Sequence, residues 1–174
     1  NKQRAMETLI QALEVVRMIE DKESKSNALT NIALAGALKQ ALEVAQMFKD
    51  NGYTRMRIVW ALARAGDFKQ ALEVVHAIED KDTKMPALKG IVRELARAGD
   101  FQRALEVAQA IEHKPNKASV LSEIAFAQVK LGNQQQASAT LMRAVNVAKA
   151  IQDKNMAYHA LGDIANALAR AKDK

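Results

Sequence analysis

Three glycines stand at equal intervals through the middle of the chain, Gly66, Gly99 and Gly132, and each is followed by an acid or its amide, Asp67, Asp100 and Asn133. Around the first two the text is nearly duplicated. LARAGDFKQALEVVHAIED at 62–80 and LARAGDFQRALEVAQAIEH at 95–113 share 14 of 19 residues. A glycine can close a helix in the left-handed conformation, where a Cβ is costly. The Asp or Asn after it can cap the next helix by accepting from backbone N–H groups that have no partner of their own. One such turn in every repeat predicts a stack of helix pairs, each burying its apolar face only against its neighbours.

The apolar spacing on both sides of the glycines is helical. Leu88, Ile91, Val92 and Leu95 precede Gly99, while Phe101, Ala104, Leu105, Ala108 and Ile111 follow it. Ala41, Ala71, Ala104 and Ala137 recur five residues past a glycine, where a small side chain lets two helices approach. Composition agrees: 49% of residues are hydrophobic and only 4% aromatic, with the good helix formers Ala, Leu, Gln, Glu, Lys and Arg abundant. The expected fold is all-α, an α-solenoid of antiparallel helix pairs.

Leu88, Ile91, Leu95, Gly99-Asp100-Phe101, Ala104 and Ala108 resemble, in order, the signature of the tetratricopeptide repeat, a helix-pair unit of about 34 residues. The resemblance covers residues 22–173 and implies a right-handed superhelix with first helices lining a concave groove. It departs from the family pattern at Val59 and Val92, where a small residue is usual, and at Ile78 and Ile111, where alanine is usual. The resulting units within one domain, 1–174, are 1–22 (partial), 23–51, 52–84, 85–117, 118–157 and 158–174 (a terminal helix). The interval from Gly36 to Gly66 is shorter than the two that follow it, so the first helix of that unit is expected to lack a turn. Residues 3–20 read as one continuous helix. AQAIEHK at Ala108 returns as AKAIQDK at Ala148, an offset of 40, which should lengthen the helix from about Gln134 to Gln152.

Catalytic groups are missing from the pattern. The chain has no cysteine, and its three histidines, His76, His113 and His159, fall at no metal-ligand spacing. No glycine-rich phosphate loop or nucleophile motif occurs. The expectation is a non-enzyme without cofactor or metal. No apolar run reaches the ~18 residues that span a bilayer. The absence of cysteine suits a reducing compartment, so the cytoplasm is the expected location. Opening on Asn1 rather than Met, the chain reads as a fragment or a processed product.

Charge is unevenly placed. The first helices from Gly52 and Met85 carry +3 and +2, the second helices from Asp67 and Asp100 carry −3 and −2, within a net charge of +6. By the resemblance, the groove is basic and the outer surface acidic. Two rows fall at its ligand-facing positions: Trp60, Arg93, Phe126 and Asn166, and Arg64, Arg97, Lys130 and Arg170. The candidate peptide-binding residues are Arg57, Trp60, Arg64, Lys89, Arg93, Arg97, Phe126 and Lys130. The family's carboxylate clamp is not reproduced, because Arg93 and Glu123 stand where its pattern differs. The expected partner is an acidic or amphipathic protein segment. RNA contacted through the same cations is the alternative, as is a purely architectural role with a homodimer formed through the solenoid ends.

Overall fold

The computed structural model describes residues 2–46 and 51–172, and these are all-helical, with no strand. The helices are α1 (Lys2–Met18), α2 (Lys22–Ile32), α3 (Leu38–Gln46), α4 (Asn51–Arg64), α5 (Phe68–His76), α6 (Lys81–Arg97), α7 (Phe101–Gln109), α8 (Lys114–Lys130), α9 (Gln134–Lys149) and α10 (Lys154–Lys172). A wide π-type turn, Ala33–Ala37, joins α2 to α3. The chain forms two compact units, Asn1–Gly90 and Ile91–Lys174, whose boundary falls within α6.

The glycine turns have one backbone. Gly66, Gly99 and Gly132 adopt φ of 84°, 77° and 82°. At each, the glycine N–H bonds a carbonyl three residues back and the next N–H bonds one five back: Asp67 to Leu62 at 2.9 Å, Asp100 to Leu95 at 2.9 Å and Asn133 to Gln128 at 2.8 Å. This paired closure satisfies carbonyls that the ending helix leaves open. The residue that closes one helix then opens the next. Asp67 accepts from the Gln70 N–H at 3.1 Å and Asp100 from the Arg103 N–H at 3.2 Å. Gly36 also has a positive φ, 102°, but Ala37 and Leu38 follow it. No capping side chain is supplied there, and the two helices meet through the π-type turn.

Other starts are capped by carboxylates outside the repeat turn. Asp21 caps α2 through the Ser24 N–H at 2.7 Å, and Asp80 holds the Thr83 N–H at 2.8 Å together with its hydroxyl. Hydrogen bonds from Ser24 hold the Asp21 carboxyl below its ordinary value, and those from Thr83 do the same for Asp80.

Within the N-terminal unit, α1 packs on α2 and α3, α2 on α3 and α4, and α4 on α3 and α5. Within the C-terminal unit, α8 packs on α7, α9 and α10, and α9 on α10. The core is aliphatic: Leu29, Ile58, Ile78, Ile91, Leu95, Ile111 and Ile124 are fully buried. Ala41, Ala71, Ala104 and Ala137 are at most 1% exposed, so their small side chains sit where helices touch. Ile78 and Ile111 lie just past the ends of α5 and α7, and each N–H bonds three residues back. The second helices are thus shorter than the repeated text, and their last isoleucine plugs the core from a turn. The seven-residue insertion is visible directly, since α9 has 16 residues against nine in α5 and α7. α9 ends at Lys149, three residues before the expected Gln152.

Candidate functional site

The basic residues of the first helices divide by what they touch. Some are fasteners. The Arg55 guanidinium donates to the Ala77 carbonyl at 2.8 Å, beyond the end of α5. Lys117 donates to the Gln109 carbonyl at 2.8 Å, and Lys114 to the Ala150 carbonyl at 2.9 Å. In all three the cation meets the carbonyl-rich end of a second helix, where positive charge is favoured. Part of the basic character of the first helices therefore serves to close their partners.

Arg57 is likewise occupied. It donates to the Asn27 side chain and to the Tyr53 hydroxyl at 3.3 Å, and Glu23 lies 3.9 Å away. These contacts tie α4 to α2 across the N-terminal unit. Trp60 is a packing residue with one edge in solvent. Its indole N–H donates to the Pro86 carbonyl at 3.2 Å, and a Cβ at Gly90 would overlap its ring. Glycine at 90 is what lets the indole approach α6 this closely, and Trp60 remains 36% exposed.

Arg64 and Arg93 are exposed and form no ion pair or hydrogen bond among the described residues. Lys89 is half-buried. Arg97 follows Arg93 by one turn of α6 and pairs with Glu94 at 2.9 Å, its own side chain remaining 66% exposed. On α8 the Lys130 ammonium sits 4.7 Å from the centre of the half-buried Phe126 ring. The structure therefore brings Phe126 and Lys130 together as a cation–π pair, a contact of about 0.5–1 kcal/mol where exposed. Asn166 is exposed on α10, and the side chain of Arg170 lies outside the described residues.

The sequence matches no family model, no curated protein and no solved structure at a significant level. The functional reading therefore rests on this geometry.

His76, His113 and His159 are exposed on separate elements, and no group of three or more His, Asp or Glu among the described residues is placed to hold a metal ion. No helix among them is long and apolar enough to cross a membrane.

The residue that sequence reasoning missed is Gln128. It is 1% exposed, and its Oε1 has no hydrogen-bond partner among the described residues. It lines a cleft of about 510 Å³ within the C-terminal unit, bounded by the start of α7 and the first half of α9. A usable signal is present in the repeat. Gln128 takes the place that Leu62 and Leu95, both buried, hold in the two preceding repeats.

Proposed function

We propose that the chain is a non-catalytic interaction scaffold, a right-handed tetratricopeptide-like solenoid that holds an acidic or amphipathic protein segment on its basic first-type helices. The observation that carries this reading is Arg93, an exposed guanidinium with no ion pair among the described residues, one turn from the largely exposed Arg97. In the same unit Phe126 and Lys130 supply a half-covered ring beside a second cation. In the N-terminal unit Arg64 is the exposed cation, with Lys89 half-buried. Arg57 and Trp60 support the reading least, because their contacts within the unit already occupy them.

Exposed charge pairs contribute about 0.2–1 kcal/mol each and are screened by salt. Burying the free edge of an aromatic contributes more, up to about 1.5–3 kcal/mol for a whole side chain. Charge on this surface would select and register a ligand, while apolar contact would retain it. A cytoplasmic setting is part of the same proposal.

RNA is the second reading, since the same cations would meet phosphates. The chain has only 1 Trp, 2 Tyr and 4 Phe, and Trp60 is already packed. Base stacking on aromatic faces, the usual basis of single-strand binding, is poorly provided for.

The test is a nuclease-treated pull-down comparing wild type with an Arg93→Glu/Arg97→Glu variant whose helicity matches it by circular dichroism. Proteins retained by wild type and lost by the variant support the proposal. Identical captures from both, or a capture that disappears on nuclease treatment, contradict it.

A further inference from the structure

The cleft over Gln128 is a departure from the repeat that the packing alone does not explain. At this place the two preceding repeats put Leu62 and Leu95, 3% and 0% exposed, which fill the core beneath the glycine turn. The third puts an amide there and keeps it equally buried, at 1%. A buried amide oxygen without a partner is unfavourable, and leucine was the available alternative at the same position. Two further changes accompany it. Phe101, 8% exposed at the start of α7, corresponds to the exposed Gln134 at the start of α9. Asp100, which caps α7, corresponds to Asn133, which makes no side-chain capping bond. Gln128 and Asn133 line an opening of about 510 Å³.

The lining states what would fit. Phe101 and Leu105 of α7 give one apolar wall, while Gln136 and Thr140 of α9 face it. The Thr140 hydroxyl is engaged with the Gln136 carbonyl at 2.9 Å. Asp100 at the rim is held by the Arg103 N–H and guanidinium, the latter at 3.3 Å, so its charge is balanced locally. Arg143, also on the lining, is exposed and makes no ion pair or hydrogen bond among the described residues. An exposed cation on the lining and an amide oxygen without a hydrogen-bond partner among the described residues together suit an anion joined to a peptide group. A peptide group carries both a donor and an acceptor, so it satisfies a glutamine amide in either orientation of that amide.

We infer that this cleft is a second binding site, separate from the cations of the first helices, and that it takes a peptide segment whose backbone amide seats on Gln128 and whose carboxylate meets Arg143. Its lining falls within residues 99–143 and includes neither Arg93 nor Arg97.

The test is a titration of the full chain, ¹⁵N-labelled, with N-acetyl-aspartate methylamide, and in parallel with N-acetyl-lysine methylamide, followed by amide and side-chain NMR shifts. The aspartate compound is expected to shift the Gln128 side-chain amide and the Arg143 Nε–H saturably, and the lysine compound is not. Arg143→Glu should weaken the response by about tenfold or more. Gln128→Leu, which restores the residue of the earlier repeats, should remove the response while raising the melting temperature. Absence of a saturable shift, equal response to both compounds, or an unchanged response in Gln128→Leu would overturn the inference. A Gln128→Leu chain that melts below wild type would also overturn it, because the amide would then be a structural member and not an opening kept for a ligand.

Discussion

The C-terminal unit contains two helix junctions that differ in side chains and agree in backbone. At Gly99, Leu95 is buried, Asp100 caps α7 and Phe101 opens that helix; at Gly132 the corresponding residues are Gln128, Asn133 and Gln134. Yet φ is 77° at one glycine and 82° at the other, and the two closing hydrogen bonds are the same pair in each. The turn is therefore governed by the glycine and the carbonyls of the ending helix. The surrounding side chains are released to do other work. Leu95 fills the core, whereas Gln128 lines a cleft that Asp100 and Phe101 share from the α7 side.

The largest effect should come from exchanging the residues beneath the two turns. Leu95→Gln removes a fully buried leucine and buries an amide in its place, and should cost about 3 kcal/mol in urea unfolding. Gln128→Leu should instead gain about 1 kcal/mol. Equal losses at both positions would mean that the Gln128 amide is as much a part of the packing as Leu95. Next, Gly99→Ala and Gly132→Ala should each cost about 1–2 kcal/mol, because both force a Cβ into the left-handed region. A Cβ at Gly99 meets only the Leu131 side chain, at 3.8 Å, and one at Gly132 meets nothing, so the two losses should match. A large difference between them would break the claim of a common backbone.

A smaller effect separates the caps. Asp100→Ala removes the bond to the Arg103 N–H and should cost about 1 kcal/mol, whereas Asn133→Ala should cost a few tenths at most. The smallest effect concerns acid. Hydrogen bonds from Thr83 hold the Asp80 carboxyl below its ordinary 3.8, so its stabilising contribution is complete above that value and is lost as pH falls through the depressed one. The helicity difference between wild type and Asp80→Ala should therefore be present near neutrality and vanish in strong acid. A difference that persists there would assign the effect to something other than the carboxylate.

What was legible in the sequence follows from the same distinction. Backbone requirements leave a signature that side-chain packing cannot disguise. The positive φ at Gly66, Gly99 and Gly132, the caps at Asp67 and Asp100, the small alanines at helix contacts and the seven added residues of α9 could all be read from period and spacing. The roles of charged and aromatic side chains could not. The tetratricopeptide resemblance would turn Trp60 toward a ligand, but Gly90 admits its ring, and nothing in the local text links the two. Nothing local marks Arg55 or Lys117 as closing a second helix, because the carbonyls they reach lie 22 and eight residues away. Gln128 was readable only by comparing repeats position by position, since a lone glutamine on a helix carries no signal of burial.

Whether the first helices present cations to an acidic protein segment is tested most directly by fluorescence anisotropy with two labelled ligands of matched negative charge. One is a peptide of alternating leucine and glutamate, and the other is a single-stranded RNA. Wild type should bind the peptide more tightly than the RNA, rising salt should weaken but not abolish the peptide complex, and Arg93→Glu/Arg97→Glu should eliminate it. Tighter binding of the RNA, or a peptide affinity unchanged by the charge reversal, would contradict the proposed scaffold.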